Sequence, residues 1–304
     1  MARTVPLNRG LMEPLTFIGL PLCTRSKNKG MAAAVKVLRE ARVTDSLRKN
    51  FGAFQDAGDV RLSEIDADSG PKNLTNFPQF LQDTETVRSA VGRVDAEGLV
   101  FGLGGECSIC VGTLAGLKPK VKGKPGVIWI DAHGDFNTPE TTPSGFIGGM
   151  CLALACGRGP RLNGITQDGK PLLSEENVVH VASRALDPLE SENMSSSPMK
   201  IYSAATLRKQ GIASTVNLAA TSLADRCDWI TCHLDVDSID PEIMSAVDFP
   251  ERYGLSFEEA KAIVRAVLGT GKLKLFELAG YDPTLDRDRT CAMRLVGLVS
   301  DMFA

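Results

Sequence analysis

The segment "DAHGDFN" (131–137) sets Asp131, His133 and Asp135 at alternate positions directly after the apolar run "GVIWI", and "HLDVDSIDP" carries Asp235 and Asp237 in the same spacing. Carboxylates and an imidazole in such density are hard and borderline ligands for a divalent cation. Strand side chains alternate faces, so an extended backbone points Asp131, His133 and Asp135 one way, and Asp235 with Asp237 likewise. Gathering four carboxylates in one place is prohibitive unless a cation neutralises them. A capping turn explains "DAHGD" alone and a polar strand end explains "DVDSIDP" alone. Each follows its own apolar strand, and together they favour a metal site. Oxygen and nitrogen donors suit Mn²⁺ or a similar ion.

The elements that must position these groups follow from the hydrophobic pattern. Strands are expected at "LTFIGL" (15–20), "GLVFGL" (98–103), "GVIWID" (126–131), "NVVHVAS" (177–183), "WITCHLDVD" (229–237) and "LKLFELAG" (273–280). Helical periodicity marks 31–42, 83–93, 107–117, 146–156, 204–225, 256–268 and 288–303, and Ser256 with Glu258 and Glu259 supplies a helix start for the sixth. Residues 64–80 and 157–176 read as loops. Apolar strands separated by helices predict an α/β fold: three layers, a mainly parallel sheet flanked by helices on both faces, one domain over 1–304. In such sheets working groups collect beyond the carboxyl ends of the strands, where "GGECS", "DAHGD" and "DVD" all fall.

Composition narrows the partners. Thirty-four basic against thirty-seven acidic residues give a formal charge of −3, with no electrostatic case for nucleic acid or an anionic membrane. Eight cysteines lie scattered, mostly in apolar runs, so reduced thiols and a cytoplasmic compartment are expected. "LTFIGLPLC" is too short to span a bilayer, and no export is expected. "CSIC" (107–110) has a redox spacing with nothing around it to support an oxidoreductase.

"GGECS", "DAHGDFNTPETTPSG", "SRALDPLE", "HLDVDSIDP" and "GYDPTLD" resemble, in order and approximate spacing, the ureohydrolase family of arginases, agmatinases and formiminoglutamases. The resemblance covers nearly the whole chain and implies an arginase-like fold with a binuclear manganese centre, nickel in a few members, at one or two ions per chain. It implies that Asp131 and Asp235 bridge two ions, that His133 and Asp237 complete one, and that Asp135 serves the other. It further implies hydrolysis of a C–N bond in a guanidino or amidine compound by water whose pKa the ions lower. Asn137, Ser144, Asp187 and Glu190 match positions that hold the far end of the substrate; alternatively, Asn137 and Ser144 merely hold a loop. Trimers, hexamers or hetero-oligomers are expected on the same ground.

Three departures bear on activity. Cys107 stands where the family's "GGDHS" carries a metal-binding histidine, and a thiolate is a softer, larger ligand. Gly148 stands in place of a histidine that assists proton transfer. Gly280 stands in place of a glutamate that grips the guanidinium, with Glu277 and Tyr281 nearby. Only three histidines exist in the chain, and His233, two residues before Asp235, is placed to approach the metal, to donate to one of its ligands, or to be satisfied by a backbone carbonyl. Three functions remain: a hydrolase in which Asp135, Glu277 or Tyr281 does the proton work, with a guanidine or biguanide among its candidate substrates; a degraded paralogue serving as a structural or regulatory subunit of an active ureohydrolase; or a module that binds a small cation without turnover.

Overall fold

The six expected apolar runs form strands, and two further strands join them at the sheet edges. The computed structural model describes residues 13–166 and 169–304, so the first twelve residues of the expected domain and two of the expected 157–176 loop lie outside it. The strands are β1 (Leu15–Leu20), β2 (Phe54–Asp59), β3 (Leu99–Gly104), β4 (Pro125–Ile130), β5 (Val178–Val181), β6 (Lys200–Tyr202), β7 (Trp229–Asp235) and β8 (Leu273–Ala279). All pairings are parallel, in the order β2-β1-β3-β8-β7-β4-β5-β6. Among the described residues ten α-helices accompany them: α1 (Ala34–Glu40), α2 (Val43–Arg48), α3 (Phe77–Val91), α4 (Ile109–Leu117), α5 (Cys151–Ala155), α6 (Pro188–Ser195), α7 (Ala204–Gln210), α8 (Ile212–Arg226), α9 (Phe257–Leu268) and α10 (Thr290–Met302).

Strand alternation divides the core between two faces. One face takes Phe17, Phe101, Ile128, Leu234 and Phe276, covered by α1, α2 and α7 to α10; the other takes Ile18, Val100, Val127, Trp129 and Leu275, covered by α3 to α6. On the first face Phe101 stacks on Phe17 at 5.5 Å and meets Phe276 at 5.0 Å, and Phe276 meets Phe303 edge-on at 5.2 Å. Burial of this kind supplies about 25 cal/mol per Å² and holds the central strands in place. The second face carries the polar residues that matter below. Each of the eight thiols is free and buried. No helix among the described residues is long and apolar enough to cross a membrane.

The departures from sequence expectation have local causes. β2, "FQDAGD", is an edge strand without apolar alternation; it is tied by Arg39, whose guanidinium donates to both oxygens of Asp56 at 2.6 and 2.8 Å and to Asp59 at 2.7 Å. β6 is only three residues long. The expected helix 204–225 divides at Gly211, which has φ of 85°. α3 starts at Phe77, inside the expected loop, because Pro78 sits in its first turn, where a missing N–H costs nothing. Arg39→Ala is expected to cost about 1 kcal/mol, the ceiling for partly exposed ion pairs, seen as faster amide exchange across Phe54–Asp59. Arg39 holds Asp56 below the usual carboxylate range. The wild-type excess over the variant is therefore fully present above about pH 4 and fades as pH falls through the lowered value.

Candidate metal centre and its pocket

β4 and β7 are adjacent in the sheet and end at Ile130 and Asp235, which brings both aspartate motifs to one crevice. Alternation along an extended strand is not what makes the side chains converge. The backbone turns immediately after β4: Asp131 Oδ1 accepts the N–H of His133 at 2.7 Å, and Asp135 takes a left-handed φ of 50°. A left-handed aspartate is tolerated where a short polar side chain has local partners. Here the following helix also holds it, since the Asp135 carbonyl accepts Leu152 N and Ala153 N at 3.1 and 3.2 Å. After β7 the same device recurs, with Asp235 Oδ1 accepting Asp237 N at 2.7 Å at the start of a short 3₁₀ turn.

Two overlapping sets of ligand atoms result. Cys107, Asp131 and Asp135 form one; Asp131, His133 and Asp237 form the other; within each, one atom per residue lies within 4.8 Å of the others. Asp131 belongs to both. Asp235 stands against both sets through Cys107 Sγ at 2.7 Å and the N–H of Asp237. His133 Nδ1 lies 3.0 Å from Asp237 Oδ2 and 3.7 Å from Asp131 Oδ1. Burial opposes a charged His133, yet Asp131 and Asp237 outweigh it and push its pKa up to about 12. Burial, then Asp131 and Asp235, pushes Asp135 well above the carboxylate range; burial, then Asp237 and Asp131, does the same to Asp235. Negative charge here exceeds what the single imidazole offsets, the condition a divalent ion relieves. The nitrogen and oxygen donors of the His133 set fit manganese, whereas the other set includes sulfur.

Beneath the ligands, one row of paired residues crosses the second face of the sheet. Glu277 on β8 pairs with His233 on β7, and His233 with Trp129 on β4. Thr113 Oγ1 donates to Glu277 Oε1 at 2.5 Å, His233 Nδ1 lies 2.8 Å from Glu277 Oε2, and the His233 ring stacks on Trp129 at 3.7 Å and 7°. Trp129 Nε1 then donates to Asp131 Oδ2 at 3.1 Å. All three side chains are completely buried. His233 Nδ1 is therefore engaged by a carboxylate and not by backbone, Nε2 is buried without a hydrogen-bond partner among the described residues, and Glu277 is a support outside the pocket lining. Tyr281 is also withdrawn: its buried hydroxyl donates to Asp286 at 2.7 Å, again outside the lining. Trp129→Phe keeps the ring and removes only the donor to Asp131. It is expected to weaken metal retention on the order of tenfold with the fold unchanged, measured by competition with a chelator; equal retention would detach the row from the site.

The crevice opens into a cavity of about 420 Å³ lined by all of the metal-set residues and by Asn137, Ser144, Asp187 and Glu190. The last four are also engaged with the protein. Asn137 Nδ2 donates to Asp187 at 3.0 Å and its carbonyl accepts Thr141 Oγ1 at 2.9 Å, while Ser144 Oγ accepts Phe146 N at 3.2 Å. Asp187 and Glu190 form the capping box of α6, and Glu190 also accepts Phe136 N at 2.9 Å. Burial pushes Glu190 up to about 7. Both glycine departures face this cavity. A Cβ on Gly148 would meet the Phe146 ring at 2.5 Å, and one on Gly280, where φ is 85°, would meet Asp235 Oδ1 at 2.1 Å. Arg25, Glu106, Phe146, Asp248, Phe249 and Glu251, not expected from the sequence, also stand in the lining. Only Glu106 carried a signal, inside "GGECS"; the others come from loops whose approach is tertiary. Arg184 shapes one of these loops by donating to the carbonyls of Asp237, Glu251 and Arg252 at 2.7, 2.9 and 3.1 Å.

Comparison with known proteins agrees along the chain. The arginase family model matches residues 13–304. The arginase of Bacillus caldovelox is 31% identical over 298 residues, covering 96% of this chain and 98% of that protein. A solved structure of that arginase superposes with a TM-score of 0.88 at 30% identity, covering 96% and 99% of the two chains. The arginase of Bacillus cereus superposes with a TM-score of 0.87 at 28% identity, covering 96% and 98%. With the sheet, the crevice and both aspartate motifs in place, a match of this length establishes that the chain belongs to the arginase family.

Proposed function

We propose that the chain is a metal-dependent hydrolase of a C–N bond in a small guanidino or amidine compound. One observation carries this reading: two overlapping ligand sets share Asp131 and open onto an acidic cavity of about 420 Å³. Asp131, His133, Asp235 and Asp237 would hold one ion, Mn²⁺ or Ni²⁺, and Asp131 and Asp135 would serve a second. Divalent ions held there supply an activated water and absorb developing charge. The carboxylates of Asp187, Glu190, Asp248 and Glu251 on the walls favour a cationic substrate. Asp135 borders both the ligands and the cavity, and it takes the proton work that Glu277 and Tyr281 are not placed to do. Without a histidine at 148, turnover is expected to fall about 10²- to 10⁴-fold below that of a site with its general acid intact.

A second reading is favoured by one specific feature. A Cβ at Gly148 would press on the tip of the half-buried Phe146 ring, which must swing aside, and Gly280 is packed against Asp235 at a positive φ, so the glutamate of the usual substrate machinery has no room to be replaced in place. A subunit that folds and holds metal beside an active ureohydrolase chain fits that geometry; so does a module that binds a cation without turnover. Elemental analysis of purified protein, followed by assays of urea, ammonia and amine release over a guanidino and biguanide panel, separates these outcomes. Bound metal with turnover supports the hydrolase. Bound metal without turnover moves the assignment to the subunit or binding reading, and absence of metal removes the metal-dependent reading altogether. Light scattering of the same sample reads the proposed trimer, hexamer or hetero-oligomer.

A further inference from the structure

The two ligand sets differ in chemistry as well as position. His133, Asp131 and Asp237 offer nitrogen and oxygen, while Cys107, Asp131 and Asp135 offer sulfur and oxygen. Cys107 Sγ lies 3.8 Å from Asp131 Oδ2. Sulfur and oxygen ligands on one tetrahedral ion, with metal distances of about 2.3 and 2.0–2.2 Å, stand about 3.5–3.7 Å apart. The observed separation thus needs an adjustment of only about a tenth of an ångström. The thiol already points at ligand oxygens, because its hydrogen bond goes to Asp235 Oδ2 at 2.7 Å. Cys107 is buried at the start of the segment that leads into α4 and lines the cavity.

We propose that the Cys107 set is a thiolate site that selects a thiophilic divalent ion of the zinc, cobalt or nickel kind, leaving the His133 set to a manganese-like ion, so that the centre is heterobinuclear. Binding forms a metal–sulfur bond and releases the thiol proton to solvent, with no change of oxidation state. The softness of sulfur disfavours Mn²⁺, which the Irving–Williams order also places below Co²⁺, Ni²⁺ and Zn²⁺. This inference rests on the metal-binding part of the proposed function and does not require turnover.

Cobalt is the probe. Metal-stripped protein titrated with Co²⁺ is expected to develop a sulfur-to-cobalt charge-transfer band in the near ultraviolet. Cys107→Ser is expected to lose that band and about one equivalent of cobalt, while its metal-stripped form keeps the thermal unfolding profile of the metal-stripped wild type. In competition, the wild type should prefer Zn²⁺ over Mn²⁺ at this position, and Cys107→His should narrow the preference by on the order of tenfold or more. Cys151 is the control, since its Sγ lies 3.5 Å from Asp135 Oδ2. A band that survives Cys107→Ser and disappears in Cys151→Ser overturns the assignment. Cobalt binding without any such band also overturns it but leaves metal-dependent hydrolysis standing. Failure to bind cobalt or zinc at all overturns both, whereas the band without turnover upholds the thiolate site and removes only the hydrolase.

Discussion

Asp131→Asn is expected to empty the centre of both ions, reducing metal per chain to near zero where loss of a residue that belongs to one set alone leaves the other intact. Asp131 is the residue common to both sets of ligand atoms. The substitution keeps the size of the side chain and an oxygen for the His133 N–H, while the amide nitrogen in place of the second oxygen cannot accept from Trp129 Nε1, so one buried hydrogen bond is lost with the packing kept. What changes is the negative charge that binds the cation and faces His133. A ligand that binds only the native state stabilises it by mass action, about 2.7 kcal/mol at a hundred times its dissociation constant. The wild type should therefore unfold at lower temperature after chelation, and the variant should show no such difference. Elemental analysis with paired thermal scans measures both. Unchanged metal content in Asp131→Asn would mean that the carboxylates do not hold an ion.

Gly280→Glu, which installs the residue that the family resemblance expects, should damage the site instead of restoring arginine hydrolysis. At φ of 85° any side chain is strained, by roughly 1 kcal/mol for a residue such as alanine. The larger effect is steric. The new Cβ would lie 2.1 Å from Asp235 Oδ1 and 2.6 Å from Oδ2. Asp235 has no free rotation to yield, since its oxygens already hold Asp237 N and Cys107 Sγ at 2.7 Å each. The carboxylate must leave its position, and metal content should fall by at least one ion per chain. Gly280→Ala isolates the backbone and Cβ contribution and should show most of the same loss. If Gly280→Glu retains its metal and gains arginase activity, the backbone relaxes enough to make this glycine the missing guanidinium grip.

The relation between Gly280 and Asp235 also marks how much of the site was legible in sequence. Residues 45 positions apart in the chain meet because β7 and β8 are neighbours, with Asp235 opposite Ala279. No local pattern shows that the substitution of glycine is enforced by contact with a ligand. The same holds for Glu277, whose type suits proton transfer but whose position, opposite His233 and Gly102 on the covered face, removes it from the cavity. Its carboxylate belongs to a support running through His233 and Trp129 to Asp131. The sequence offered His233 as a neighbour of the aspartates on its own strand, and the partner of its ring nitrogen, Glu277, comes from another strand.

By itself the sequence determined the six buried strands, the alternation with helices and the family, because apolar runs and short motifs act locally and survive without knowledge of neighbours. It also determined which residue types gather at the strand ends, and so the expectation of a metal. The tertiary structure alone decided the edge strands β2 and β6, where ion pairs or very short pairing replace hydrophobic pattern. It decided that the candidate ligands converge through turns capped by Asp131 and Asp235, since hydrogen bonding of a carboxylate to its own loop competes successfully with continued extension. And it decided which carboxylates face the cavity and which are spent on support, a division set by strand order and side-chain packing between residues far apart in the chain.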